Sequence, residues 1–102
     1  MTTRQAQRFK IQVPVDFSGG RNGTGTLHDL SISGCRIVSR TPLDVGQSLR
    51  LTLYQGDGQQ PIVVDPAEVR WRNAWHIGVA FQSDAAEEEI RALLSRRATL
   101  PS

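Results

Sequence analysis

The sequence predicts a mainly β fold: a small six-stranded antiparallel, split β-barrel with a C-terminal α-helix and a flexible N-terminal arm. Three observations support this prediction. Apolar and polar residues alternate in several short segments, turn-forming residues separate these segments at hairpin spacing, and a helical pattern closes the 102-residue chain. A closed or split barrel is favoured over an open sheet, because an open sheet of this size would leave unprotected edges.

The first segment, residues 1–9, is polar and basic and shows neither strand alternation nor a helical apolar stripe. We therefore expect a flexible arm there and a folded domain over residues 10–98. The first strand of this domain is predicted from Lys10 to Phe17, where every second residue is apolar. Pro14 indicates an edge or a bulge in this strand, since proline has no backbone N–H to donate.

The remaining strands are predicted from the same alternation and from the turns between them. Residues 18–23 are rich in glycine and provide a hairpin loop, and residues 56–58 give a second strong turn signal. The last two strands are expected to form a hairpin around residues 72–74. The five further strands are predicted at about 24–30, 34–39, 49–53, 62–71 and 75–81.

A helix is predicted over residues 85–97. Acidic residues occupy its first turns and arginines its last turn, a distribution that stabilises both ends of a helix dipole, and Ser83 or Asp84 can cap it. Ile90, Leu93 and Leu94 lie at helical spacing, so this apolar face either packs on the barrel or serves a partner.

Composition is that of an ordinary globular protein, with 38% hydrophobic and 22% charged residues. The single cysteine, Cys35, excludes an intrachain disulfide and a zinc site built on paired thiolates. The start of the sequence does not resemble an export signal, and no apolar stretch approaches the roughly 20 residues that span a bilayer. We therefore expect a cytoplasmic protein without membrane insertion.

The sequence predicts neither a metal site nor an enzyme. His28 and His76 lie far apart and have no Asp, Glu or Cys nearby at ligand spacing. Cys35 has no activating partner beyond Arg36, and its place in a strand favours a buried apolar role. Since no nucleophile with a base and no phosphate-binding loop can be recognised, we expect neither catalysis nor a cofactor.

Two local motifs carry the candidate binding chemistry. Arg4 and Arg8 lie four residues apart in the arm, so both guanidinium groups can converge on one anion. Asp29, Ser31 and Gly34 bring a carboxylate, a hydroxyl and open backbone together between strands two and three. Taken singly, the first motif also fits a solvated basic tail. The second also fits a tight turn, whose carboxylate and hydroxyl accept backbone N–H bonds and whose glycine is left-handed or strained.

Together the motifs resemble the signature of the PilZ domain family, which is Arg-x-x-x-Arg before the first strand and Asp-x-Ser-x-x-Gly between strands two and three. The resemblance covers nearly the whole chain, since residues 69–71 and 78–81 look like the last two strands of the family and the helix looks like its C-terminal helix. It implies a bacterial receptor domain, a six-stranded barrel that binds the second messenger cyclic di-GMP.

The resemblance also implies a role for each motif residue. Arg4 and Arg8 would grip the phosphates and the guanine faces or Hoogsteen edges, which suits arginine because it pairs with phosphate and stacks on aromatic rings. Asp29 and Ser31 would hold the other side of a guanine, and Gly34 would let the backbone approach closely. Closure of the arm over the ligand would order it and present a new surface to a protein partner, which the sequence does not identify.

Arg36 and Trp71 are further candidates for ligand binding. Arg36 follows the turn and would add a phosphate contact, and Trp71 would stack on a guanine; solvation of Arg36 and core or rim packing of Trp71 are the alternatives. The family often has a third basic residue beside the first arginine, whereas Thr3 and Gln5 flank Arg4 here. Whether one or two cyclic di-GMP molecules bind to each chain therefore stays open.

Two other functions stay open from the residues alone. One is a small β-barrel that binds single-stranded nucleic acid, which needs several aromatics as a stacking platform beside a basic groove. With 6% aromatic residues and a formal charge of +2, we do not expect DNA or RNA as a partner. The other is a nucleotide-free interaction module whose C-terminal helix docks a protein, a role that is compatible with cyclic di-GMP binding.

Overall fold

The computed structural model describes residues 8–56 and 58–98 and forms a closed antiparallel barrel with a helix after the last strand. The order around the barrel is β1-β2-β3-β6-β5-β4. The predicted six-stranded barrel with a C-terminal helix is confirmed, and of the closed and split forms the structure has the closed one. The elements are β1 (Phe9–Ser18), β2 (Gly23–Leu30), β3 (Gly34–Val38), β4 (Ser48–Leu53), β5 (Ile62–Asn73), β6 (His76–Phe81) and α1 (Glu87–Ala98).

The core is built by the alternation that predicted the strands. Every second side chain of β1 and β4 points into the barrel, and each apolar side chain that is fully removed from water there contributes about 1.5–3 kcal/mol to folding. β1 begins at Phe9, one residue before the predicted boundary, and Phe9 packs against this core. The buried apolar residues of the two strands are Ile11, Val13, Val15, Phe17, Leu49, Leu51 and Leu53.

Pro14 marks the point where β1 meets β4. The β1–β4 ladder starts at Val15, and the carbonyl oxygen of Pro14 accepts a hydrogen bond from the backbone nitrogen of Tyr54 at 3.0 Å. The register of β1 with β2 shifts nearby, between Lys10 and Val13. β1 is therefore paired on both sides rather than an edge strand, and the bulge that the proline indicated lies just before it.

Helix α1 packs on the barrel through the apolar face that the sequence predicted. Ile90, Leu93 and Leu94 are buried in the same core as the strands. The helix begins at Glu87 rather than at residue 85 because a turn precedes it. In that turn the hydroxyl of Ser83 accepts a hydrogen bond from the backbone nitrogen of Ala85 at 3.1 Å. Over the described ranges, no helix combines the length and the apolar character that a bilayer crossing needs.

The last hairpin turns later than the sequence predicted: β5 ends two residues later and β6 starts one residue later. β5 continues to Asn73, which pairs with His76, so Ala74 and Trp75 form a two-residue turn. Ala74 has a φ of 55°, in the left-handed region that glycine favours at such turns. The sixth strand therefore starts at His76, one residue after the predicted Trp75, because Trp75 belongs to the turn.

Candidate functional site

Arg8 of the first motif lies at the same end of the barrel as the second motif because β1 and β2 run antiparallel. Phe9 pairs with Leu30 and Lys10 pairs with Asp29. Arg8 is exposed and directly precedes β1. Because the next residue, Phe9, pairs with the last residue of β2, Arg8 lies beside the turn that follows β2. Arg4 lies outside the described residues.

The thiol of Cys35 is buried at the start of β3. Cys35 pairs with Leu30 and is buried inside the barrel. Burial raises the pKa of this thiol to about 12, and the nearby Arg8 guanidinium partly offsets the rise. The thiol is kept protonated, which confirms the buried apolar role predicted for Cys35.

Asp29 lies on the outer face of β2 and is held by an arginine of the next strand. Its Oδ2 atom accepts a hydrogen bond from Nε of Arg36 at 2.6 Å, and the Asp29 side chain is 20% exposed. Within the described ranges, no backbone N–H donates to this carboxylate. The interpretation of Asp29 as a cap for the turn is therefore wrong: its partner is a cationic side chain across the β2–β3 ladder.

Ser31 closes the β2–β3 turn and is only 1% exposed. Its backbone nitrogen donates to the carbonyl oxygen of Gly34 at 2.9 Å, and its hydroxyl oxygen lies 3.3 Å from the same acceptor. The hydroxyl also accepts from the backbone nitrogen of Ser33 at 3.2 Å and contacts the Ser33 hydroxyl at the same distance. The tight-turn interpretation thus holds for Ser31, whose hydroxyl is used inside the turn.

Gly34 is required by packing between strands. Its φ is not positive, so the expected left-handed conformation is wrong. A Cβ atom at this position would lie 2.4 Å from the carbonyl oxygen of Val79 on β6, which is far below any normal contact. β3 and β6 approach this closely because Gly34 pairs directly with Ala80.

A row of outward-facing residues extends from Asp29 across the barrel wall. Arg36 is the Cα partner of Asp29 on one side and of Gly78 on the other, and Gly78 is in turn the partner of Trp71. The Trp71 indole covers Gly78, since a Cβ there would lie 2.1 Å from its Nε1 atom. Trp71 therefore packs on the rim and stays 45% exposed.

His76 joins this row, although sequence reasoning considered it only as a metal ligand. Nη1 of Arg36 lies 2.7 Å from Nδ1 of His76, so Arg36 is bound at both ends rather than solvated. Strand alternation could have placed His76 on the outer face of the barrel together with Gly78, because Ile77 and Val79 point inward. The partner could not be found in this way, since Arg36 is 40 residues away in sequence.

The tip of the β5–β6 hairpin is tied to the loop after β3. The Arg40 guanidinium lies 5.3 Å from the centre of the Trp75 ring, a cation–π contact. Nη1 of Arg72 donates to the carbonyl oxygen of Leu43 at 3.0 Å. These contacts hold the strand that carries His76 in place. In the part of the chain that the structure describes, no three His, Cys, Asp or Glu side chains gather as metal ligands would.

Residues 2–96 match the PilZ domain family. The structure is similar to that of the inhibitor of motility MotI/DgrA of Bacillus subtilis, with a TM-score of 0.74 and 16% identity over 100% of this chain and 55% of that chain. It is also similar to the PilZ domain of CeSA from a cellulose-synthesizing bacterium, with a TM-score of 0.72 and 18% identity over 91% of this chain and 99% of that chain.

At these identities the two likenesses show the fold alone. The chain spans about half the length of the MotI/DgrA structure, 55% of it. No curated protein sequence matches the chain.

Proposed function

The chain belongs to the PilZ domain family, and from this premise we propose that it is a receptor domain for cyclic di-GMP. The observation that carries the proposal is the position of Arg8 at the same end of the barrel as Asp29 and the turn that follows it. Arg8 precedes the β1 residues that pair with the end of β2, and Asp29 lies in that same stretch of β2. A dianionic ligand with two guanines needs cationic groups and a guanine acceptor side by side, and this arrangement supplies both.

The carboxylate of Asp29 suits the Watson–Crick edge of a guanine. That edge offers two neighbouring N–H donors, and an ionised carboxylate offers two oxygens, each able to accept more than one hydrogen bond. Arg36 uses part of the capacity of Oδ2. The carboxylate can therefore keep this ion pair while it accepts the guanine.

Arginine chemistry supports the assignment of the phosphates to the arm. Each charge-assisted hydrogen bond from Arg4 or Arg8 to a phosphate contributes about 1.5–3 kcal/mol. On the outer face, Trp71 presents a partly exposed indole to a base. Arg36 and Trp71 extend the site along the wall of the barrel, so we propose that the ligand lies between the arm and this row.

Ser31 and Gly34 serve the proposed site through the turn that they build. The Ser31 hydroxyl is buried in hydrogen bonds to Ser33 and Gly34. Gly34 allows β3 to approach β6. Together they fix the backbone directly after Asp29, and we propose that this rigid turn forms the edge of the site on which the ligand rests.

The proposed output is a conformational signal and not a reaction. Binding of cyclic di-GMP would order the arm that carries Arg4 and Arg8 across the ligand, at a cost in conformational entropy that the phosphate contacts offset. The surface created by the closed arm would then be read by a protein partner. The alternative use of α1 as a docking helix is disfavoured, since Ile90, Leu93 and Leu94 are already buried against the barrel.

The assignment of Arg8 is tested by Arg8→Ala. We expect the affinity for fluorescently labelled cyclic di-GMP, measured by anisotropy, to fall roughly 10- to 100-fold, the effect of losing one or two charge-assisted contacts. The melting temperature should not change, because Arg8 is exposed and precedes β1.

The matched control is Arg50→Ala, which removes an exposed arginine at the other end of β1, opposite Ser18. This variant should keep wild-type affinity. Equal losses in both variants, or binding of random oligonucleotides with the same salt dependence as cyclic di-GMP, would indicate a generic anion site instead.

A further inference from the structure

Arg36 connects three strands on the outer face of the barrel. Its Nε atom donates to Oδ2 of Asp29 on β2 at 2.6 Å, and its Nη1 atom lies 2.7 Å from Nδ1 of His76 on β6. The side chains of Arg36 and Asp29 are 28% and 20% exposed, so this contact is partly shielded from solvent. The three side chains form a continuous chain from the second motif to the last strand.

The direction of each hydrogen bond follows from the chemistry of arginine. A guanidinium group only donates hydrogen bonds, so Nδ1 of His76 must accept from Nη1. The imidazole therefore carries its proton on Nε2 in this arrangement. With one N–H on Asp29 and another on His76, the planar guanidinium is fixed in two directions, which a single ion pair on a half-exposed surface would not achieve.

We propose that His76 is a positioning residue of the ligand site. It holds the guanidinium of Arg36, and Arg36 in turn holds the carboxylate of Asp29 in the orientation that accepts a guanine. This inference rests on the proposed function for its ligand, and it adds a residue on β6 that contacts no ligand itself. Preorganisation of this kind raises affinity because the carboxylate need not be ordered when the ligand binds.

Protonation of His76 would break the arrangement. Imidazolium carries a proton on both nitrogens, so Nδ1 would turn from acceptor to donor and would repel Arg36. The groups that face His76 do not compensate: Arg36 on β3 is cationic, and Asn73, opposite on β5, is neutral. Arg40, which contacts the Trp75 ring, and Arg72, the Cα partner of Ile77, add positive charge to this hairpin, and Asp29 is bound to Arg36. Acid that protonates His76 should therefore lower the affinity for the ligand.

The test compares two substitutions of His76. His76→Leu removes the acceptor, whereas His76→Gln keeps an acceptor oxygen and does not titrate. At pH 7.5 we expect the dissociation constant for cyclic di-GMP to rise about threefold to tenfold in the leucine variant, the effect of one lost hydrogen bond, and to stay within about twofold of wild type in the glutamine variant. The acid-induced loss of affinity should be present in the wild type and absent in His76→Gln.

His28→Leu is the matched control, because His28 lies on β2 and its Nδ1 contacts Gln12 rather than Arg36. It should retain the acid-induced loss of affinity. Wild-type affinity in His76→Leu, or an unchanged pH profile in His76→Gln, would overturn the inference. The pH profile needs only the wild type and the glutamine variant, so it decides the question even where His76→Leu does not fold.

A ligand-free measurement separates this inference from the proposed function. In ¹H–¹⁵N spectra of the free protein, the Nη1–H signal of Arg36, the group that donates to His76, should be protected from exchange in the wild type and in His76→Gln, and lost in His76→Leu. If the wild type bound no cyclic di-GMP, the proposed function and the ligand role of His76 would both fail. The Arg36 signal would still show whether His76 holds the guanidinium, and an unchanged signal in His76→Leu would refute that contact.

Discussion

Gly34 lies against the carbonyl oxygen of Val79, so no side chain larger than hydrogen fits at this position of β3. The packing of β3 against β6 therefore requires a glycine at this position of the motif, whether or not a ligand binds. Its contribution to binding is then indirect, because it allows the strand after the turn to join β6. Loss of binding in a Gly34 variant would have to be interpreted together with its stability.

Gly34→Ala is expected to lower the free energy of unfolding by about 1–3 kcal/mol, the usual cost of forcing a methyl group into closely packed backbone. Urea denaturation followed by circular dichroism measures it. The control is Gly20→Ala, where the new Cβ would press only on the end of the flexible Gln47 side chain, at 2.8 Å, and would lie 3.4 Å from the carbonyl oxygen of Ser48. We expect that variant to stay within about 1 kcal/mol of wild type. A Gly34→Ala protein as stable as wild type that still failed to bind would assign the glycine to the ligand instead.

At the scale of the elements, the sequence predicts the strands well wherever one residue in two faces the core. In β1 and β4 the alternation has no interruption among the inward-facing residues, and the predicted strands match the structure within one residue at each end. β5 departs from this pattern. The register with β6 shifts between Val69 and Trp71, and residues 70–73 are all exposed, so the strand extends beyond the core without an apolar signal.

The predicted position of the turn between β5 and β6 is wrong because the residues on either side of it are exposed. Exposed residues carry no information about which of them pair, and the pairing of Asn73 with His76 fixes the turn at Ala74 and Trp75. Alanine with a φ of 55° is not a turn signal that a sequence shows. Tertiary pairing between the strands therefore decides the hairpin where local propensity does not.

The helix supports the barrel and is expected to behave as part of its core. Leu93→Ala should destabilise the protein by about 2–5 kcal/mol in urea denaturation, because Leu93 is 1% exposed and its removal leaves a cavity. Arg91→Ala is the control on the same helix. It removes an exposed ion pair to Glu87 and should cost at most about 0.5 kcal/mol. Near-equal stability of the two variants would show that α1 is not part of the core.

At the scale of the whole molecule, barrel closure brings together residues that are distant in sequence. β3 pairs with β6 and β1 pairs with β4, neither of which is a neighbour along the chain. The motif spacing predicted Asp29, Ser31 and Gly34 as one cluster, and the antiparallel β1–β2 pair brings Arg8 to it. The contacts of Arg36 with Asp29 and His76 could not be predicted, because they depend on a strand order and a register that alternation alone does not specify.

The most direct test of the central claim is isothermal titration calorimetry of the whole chain with cyclic di-GMP, with GTP as the control ligand. The claim predicts saturable binding of the cyclic dinucleotide, no binding of GTP, and a stoichiometry of one or two ligands per chain. Bound ligand should also raise the melting temperature, since a concentration of 100 times the dissociation constant adds about 2.7 kcal/mol of stability. Absence of heat together with an unchanged melting temperature would contradict the claim.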